Sequence, residues 1–372
     1  MNGMAPFGLS QSDYYYGHSF WDTESWSLLP VMLAAPSTAR SLLEFRVRGL
    51  KNAKRLADLY GYRGTQFPWE ASPIDGADVT PTFAGTGWEE QHVTPDVALG
   101  FWEYQMATGD EDFLRQGTWP VLEAVAEWIE SRGVFTPRGF DIRNIKGPDE
   151  GVQDVSNNSY MNVICRMVLE AAVRCAALAG AKPPDSWAKI ARALVIPIDA
   201  ACNIILPYDH PPQGRQYSLG SMAMLTVHDP PLSQELLKNT YEYESKERGP
   251  NPQGIGFSMD AEAATAALFG DRGEAAKLYR QSWQKAWVEP YGMIKEAPSE
   301  DYACFLTNFG SLLQTAMLGF TGIRVTHPGW AKYPATLPEG WDRIEIERVW
   351  VRGEAKRLVA VNGSLAQLRE AG

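Results

Sequence analysis

The sequence predicts an all-α fold: a helical toroid with a short β appendage at its C-terminus. Two observations carry this expectation. Between residues 23 and 318, apolar side chains recur at helical spacing in successive segments, mostly paired across short turns. Between the pairs lie longer loops, 61–93, 133–157, 203–217, 241–256 and 289–304, rich in Gly, Pro, Trp and acids. Inner and outer helices that alternate around a ring leave such loops at its mouth, and loops longer than about 12–15 residues are usually functional. After Thr321 the period becomes that of strands, in Ile323–Val325, Ile344–Arg352 and Leu358–Val361. The expected division is a helical unit over 1–325 and a β segment over 326–372.

Each element has its own signals. Residues 23–35 read as a short helix with Pro30 as a kink or break. Ser37, after Pro36, is placed to cap a helix through Tyr60 whose apolar face includes Leu42, Leu43, Phe45, Leu50 and Leu56. Gly61 then sits where a left-handed terminating residue belongs. Thr94-Pro95 opens a helix closed by Gly109, and 111–132 runs to Gly133. The helix 158–179 ends at Gly180. Shorter helices are expected at 186–194, 218–227 and 232–240. The pair 258–269 and 272–288 is split by Gly270-Asp271, and the last helix covers 309–318. No repeat of fixed period is visible, so a plain α-solenoid has no sequence support.

Composition excludes several functions. The 372-residue chain has a net charge of −11 and no Lys/Arg-rich run, which argues against nucleic acid and anionic membranes as partners. Hydrophobic residues make up 45% and charged residues 21%, which marks a globular chain. Cys165, Cys175, Cys202 and Cys304 form no CxxC pair, and the five histidines are scattered. A zinc or His-based metal site is therefore not expected. Cys165 and Cys175 lie in an apolar helical stretch and read as buried free thiols. No phosphate-cradling glycine motif is present. The start has neither a basic region nor an apolar core of a signal peptide, and no long apolar run exists. With Met1 as the natural start, the expectation is a cytoplasmic chain.

The distinctive feature is the aromatic content, 13 Trp, 15 Tyr and 14 Phe, with several Trp beside a carboxylate. A Trp face stacks on a sugar ring while a carboxylate accepts from its hydroxyls. Trp21-Asp22 lies at a loop-to-helix junction, where Asp22 is either a helix cap or a sugar ligand. Trp69-Glu70 ends a Gly- and Pro-shaped loop, and Trp88-Glu89-Glu90-Gln91-His92 forms a third cluster. Each of these is either a core Trp with a surface Glu or part of a binding wall. Glu150, in Gly147-Pro148-Asp149-Glu150, has no helix to serve. Asn157 and Asn158 stand at a helix start, where either can cap. Lys295–Asp301 brings Glu296, Glu300 and Asp301 together, either as a solvated loop or as the source of a base. Glycoside hydrolysis needs two carboxyls, an acid for the leaving oxygen and a base or nucleophile opposite. Glu150 and Glu296 satisfy this need, although the residues alone do not select them over Asp22 or Glu70.

Five separated stretches resemble glycoside hydrolase family 65 in family order. They are GHSFWDTE, the run from SLLEFRVRGL to GTQFPWE, EEQHVTPDVALGFWEYQMATGDEDFL, GPDE with VSNNSYMN, and FLTNFGSLLQTAMLGFTGIRV. The resemblance spans about residues 15–325 and implies the family's (α/α)6 barrel. It implies that Glu150 is the general acid and, by a looser match, that Glu296 is the base. It also implies that Trp21, Asp22, Trp69 and Glu70 hold the nonreducing glucosyl unit, with Trp88 and Asn158 joining the substrate site. No metal or organic cofactor is implied, and the substrate is a short oligosaccharide. Three departures bear on the activity. The family's N-terminal β-sandwich is not in this chain. Its Lys-Gln pair is replaced by Ser218-Leu-Gly-Ser-Met-Ala. Tyr302–Gln314 has no His or basic residue where the phosphorylases bind phosphate. Water is then the better acceptor. The implied activity is an inverting exo-acting α-glucosidase on an α-linked glucoside of the kojibiose or glucosylgalactose type. Phosphorolysis or an inactive sugar-binding chain are the alternatives. The sequence leaves oligomeric state open.

Overall fold

The computed structural model describes residues 3–8, 15–82, 84–212, 219–248, 255–299 and 304–371. The helices are α1 Leu28–Ala34, α2 Pro36–Leu59, α3 Thr86–Glu89, α4 Val93–Thr108, α5 Glu111–Phe113, α6 Trp119–Arg132, α7 Ser159–Ala179, α8 Asp185–Ala193, α9 Leu219–Met224, α10 Gln234–Arg248, α11 Gly256–Leu268, α12 Arg272–Gln284 and α13 Leu306–Gln314. Wide helical turns at Thr23–Ser27, Leu114–Thr118 and Thr315–Gly319 run directly into α1 and α6 or out of α13. Small antiparallel hairpins punctuate the loops: β1 Val134–Thr136 with β2 Gly139–Asp141, β3 Ile198–Asp199 with β4 Ile204–Ile205, and β5 Trp287–Val288 with β6 Met293–Ile294. The chain closes on a three-stranded antiparallel sheet, β7 Arg343–Val351, β8 Glu354–Val361 and β9 Gln367–Glu370, with a register shift between Ile346 and Val349.

The inner elements form a closed ring. The turn Thr23–Ser27 with α1 packs on α4, α4 on α7, α7 on α9, α9 on α11, α11 on α13, and α13 returns to the turn. Behind them stand α2, α6, α8, α10 and α12. This is the (α/α)6-type helical toroid with a small β part. Burial separates the layers: 14 of the 16 residues of α4 are buried, against 3 of 13 in α12. An element flanked on both sides must be apolar or internally paired all round, whereas an outer one needs a single apolar stripe. The sheet joins the same core, with Val349, Leu358 and Ala360 fully buried in it.

Most helices lie where their periodicity places them, and the differences have local causes. Pro36, not Ser37, opens α2: it occupies the first turn, and Ala35 precedes it without a side-chain cap. Pro30 does not break α1, and the wide turn Thr23–Ser27 immediately precedes it. A proline near a helix start sacrifices an N–H that has no partner there anyway. The helix expected at 232–240 continues to Arg248. Ile323 makes an isolated bridge to Ala331 rather than a strand. Cys165 and Cys175 are buried free thiols of α7, as expected. Among the described residues, no helix is long and apolar enough to cross a membrane.

Candidate active site

A cavity of about 450 Å³ opens at the end of the ring where the turn Thr23–Ser27, α11 and α13 begin. Tyr15, Phe20, Trp21, Asp22, Trp69, Glu150, Phe257, Glu296 and Phe305 are among its lining residues. Five of the residues singled out by sequence, from four separate loops, thus share one enclosed space: Trp21, Asp22, Trp69, Glu150 and Glu296.

The walls are fixed by bonds between loops. Ser19 and Ala71 form an antiparallel bridge, which joins the loop carrying Trp21 to the loop carrying Trp69. Phe20 meets Trp69 edge-on, with ring centroids 4.9 Å apart. The first turn of α13 holds the Asp22 carboxylate and the backbone of the Glu296 loop. Thr307 Oγ1 donates to Asp22 Oδ1 at 2.8 Å, and Asn308 Nδ2 donates to the carbonyls of Lys295 and Glu296 at 2.7 and 3.3 Å. Asn308 Oδ1 also accepts from the Phe257 amide at the start of α11. The Tyr15 hydroxyl donates to Glu296 Oε1 at 3.4 Å. Tyr15 and Tyr16 both hold left-handed backbone, at φ 59° and 45°. Such conformations cost of order 1 kcal/mol or more in a non-glycine residue and cluster at functional sites.

The electrostatics distinguish the carboxyls. Glu150 reaches water through the cavity, yet enough protein encloses its carboxyl to push its pKa up to about 7. Desolvation is the main cause. The charges of Glu90 and Asp22 add to it, while Lys146 and His92 oppose. Glu150 therefore holds its proton at a pH where an ordinary glutamate has lost it. Burial likewise raises Asp22 to about 6, against the lowering effect of its bond from Thr307. Burial pushes the Tyr15 phenol far up, and the charges of Glu296, Asp22 and Glu150 add to it. Tyr15 is thus a permanent donor, facing three acids across one cavity.

Three expected site residues lie elsewhere. Glu70 turns into the wall, where its Oε1 lies 2.6 Å from His18 Nδ1. Trp88 is 46% exposed on α3 and lines a separate surface depression with Tyr60, Tyr62 and Arg132. Its neighbour Glu89 accepts from its indole, which leaves the ring outside the mouth. Asn158 is the cap of α7, accepting from the Met161 amide at 3.1 Å. It also fills the space beside Gly147, where a Cβ would come within 2.4 Å of Asn158 Nδ2. It therefore supports the Glu150 loop from behind instead of touching the cavity. Glu300 and Asp301 lie outside the described residues, as do Ser218 and the side chains of 219–221; Met224 lines the cavity.

Sequence reasoning missed Tyr15, Thr307 and Asn308, and it gave Glu90 and His92 no role. The FLTNFG and EEQH stretches were visible, but their partners were not. Among the described residues, no group of His, Cys, Asp or Glu is placed to hold a metal ion.

Residues 2–244 match the profile of the glycosyl hydrolase family 65 central catalytic domain. A kojibiose hydrolase from Flavobacterium johnsoniae is 31% identical over 359 residues, which cover 93% of this chain and 51% of that protein. A protein-glucosylgalactosylhydroxylysine glucosidase from Dictyostelium discoideum is 34% identical over 360 residues, covering 92% of this chain and 49% of the relative. The chain thus spans about half the length of these curated relatives. Among solved structures, one designated a kojibiose phosphorylase from human microbiome superposes with a TM-score of 0.76 at 16% identity, covering 99% of this chain and 59% of that one. That likeness concerns the fold.

Proposed function

The chain belongs to glycoside hydrolase family 65, and from that premise we propose that it is an inverting, exo-acting α-glucosidase of short α-linked glucosides. The observation that carries this reading is the shared cavity of Glu150 and Glu296, in which desolvation raises the Glu150 carboxyl to about 7. In the proposed reaction Glu150 gives its proton to the glycosidic oxygen as the bond to C1 breaks. Glu296 takes a proton from a water whose oxygen attacks C1 from the opposite face. The sugar hydroxyl and the inverted hemiacetal leave, and the two carboxyls exchange protons with solvent to reset. Inversion needs room for that water, with the two carboxyls about 6.5–9.5 Å apart. Trp21 and Trp69 supply stacking faces for the terminal glucose, and Asp22 accepts from its hydroxyls. Tyr15, as a donor to Glu296, orients the base. The glucosidases among the relatives support an α-1,2-linked glucoside as the first substrate to try. We read 1–325 as the catalytic unit and 326–372 as its β segment.

The test is a disaccharide panel followed by anomer-resolved NMR, with and without inorganic phosphate. Release of β-glucose from kojibiose, unchanged by phosphate, is the expected result. Glu150→Gln should reduce that rate by at least about a hundredfold, the lower range for loss of acid catalysis. Formation of α-glucose, or glucose 1-phosphate appearing with phosphate, overturns the inverting hydrolase. Near wild-type turnover in Glu150→Gln removes Glu150 from the acid role.

A further inference from the structure

Behind the cavity wall lies a buried cluster of charge that touches no lining space. His92, fully buried, is at its centre. Its Nδ1 lies 2.6 Å from Asp96 Oδ2 and its Nε2 3.1 Å from Glu90 Oε1. Burial opposes the imidazolium, but Asp96 and then Glu90 outweigh it and push the His92 pKa up to about 9. Both ring nitrogens therefore donate. The second Asp96 oxygen accepts from the Tyr160 hydroxyl at 2.8 Å.

The cluster reaches the cavity by three short routes. Glu90 Oε1 accepts from the indole of Trp69 at 3.1 Å. The His92 ring meets Trp21 edge-on at 4.8 Å. The carbonyl of Glu89 accepts from the amide of Lys146, which leads into the Gly147–Glu150 loop. Glu90 Oε2, by contrast, is buried and has no hydrogen-bond partner. A buried carboxylate with one unshared oxygen projects its charge into a poorly screened interior.

We propose that Glu90 is a positioning residue for the acid step: one oxygen clamps Trp69, and its charge, which His92 offsets only in part because His92 is shared with Asp96, keeps the proton on Glu150. The inference rests on reading Glu150 as the general acid. Four charged groups weigh most in the balance at Glu150. Glu90 and Asp22 favour the protonated form, and Lys146 and His92 oppose it. Glu90 is the largest of these charge effects that favours the proton.

Two variants separate clamp from charge. In Glu90→Gln the amide carbonyl still accepts from Trp69 and His92, while the charge is gone. In Glu90→Asp the charge stays, and the shortened side chain releases the indole. The Glu150 carboxyl is followed by NMR in ¹³C-labelled chain, its signal assigned by its loss in Glu150→Gln. Glu90→Gln should move that titration down by about one pH unit, a tenfold change in ionisation. The alkaline limb of kcat/KM should move with it, at unchanged KM. Glu90→Asp should keep the wild-type titration and raise KM. An unshifted or upward titration in folded Glu90→Gln overturns the proposal, and so does a lowered one in Glu90→Asp. If the wild type releases no glucose but the NMR shift is present, the hydrolase reading falls and the coupling between Glu90 and Glu150 stands.

Discussion

Glu150 is an acid because of what surrounds it, and this gives a pH signature with a definite sign. The leaving oxygen needs a proton, so activity requires the protonated form. With a pKa of about 7, Glu150 sets the alkaline limb, and kcat/KM should fall tenfold per unit above that pH. A rate still rising at pH 8 would remove Glu150 from this role. Stability carries a second titration. Asp260, buried in α11 and bonded by Ser311 Oγ at 2.6 Å, is pushed up to about 8 by desolvation. The unfolded chain loses this proton near pH 4 and the folded chain keeps it to about pH 8. Its contribution is thus whole below pH 4 and drains away as pH rises to 8. Asp260→Asn should melt with a flatter dependence on pH between 5 and 8 than the wild type. An unchanged dependence would show that Asp260 does not titrate there. At this scale the sequence was half legible. Trp69-Glu70 and Trp88-Glu89 are the same dipeptide, and nothing local says that the first Trp faces the cavity and the second faces solvent. The partners that decide are remote: Thr307 lies 285 residues from Asp22 and Glu296 281 from Tyr15.

Between elements, the decisive joint is the one from α2 to the turn Thr23–Ser27. Arg46 is buried on α2 and meets Glu24 with two parallel bonds, Nε to Oε1 at 2.8 Å and an Nη to Oε2 at 2.9 Å. A further Arg46 bond reaches the carbonyl of Phe20 at 2.9 Å, next to Trp21 and Asp22. Arg46→Met should cost about 3–5 kcal/mol in denaturant unfolding, because it leaves a buried carboxylate unpaired. A loss below about 1 kcal/mol would mean that Glu24 is held another way. Helix existence was well legible, since apolar spacing and terminal glycines such as Gly109 and Gly180 are local signals; both hold left-handed backbone. The wide turns were not legible. Each inserts one extra residue into a continuous helical run, which leaves the apolar pattern readable while it rotates the next segment about the helix axis. The short hairpins β1–β2, β3–β4 and β5–β6 escaped notice for another reason: they are two or three residues long, too short for alternation to register.

For the whole molecule, paired helices announced a toroid, but its closure was invisible in the sequence, because a periodic pattern says which face is apolar and not which helix covers it. The terminal sheet was legible in β7 and β8. Its packing on α1 and α4 was not. Because Val349, Leu358 and Ala360 lie in the same core as those helices, a chain ending at Val325 would bare a broad apolar face. Such a truncation should aggregate, or melt well below the full chain in calorimetry. A soluble product with wild-type melting would show that the sheet adds nothing to the toroid. The bond from Thr307 to Asp22 carries one more consequence. It joins the last inner helix to the first, so the site belongs to both ends of the toroid at once. A nascent chain on the ribosome would hold half a pocket until α13 has emerged. Until then neither Asp22 nor the Glu296 loop has its support. A glucose analogue that spans the seam should act as a clasp, slowing proteolysis there as it fills the site.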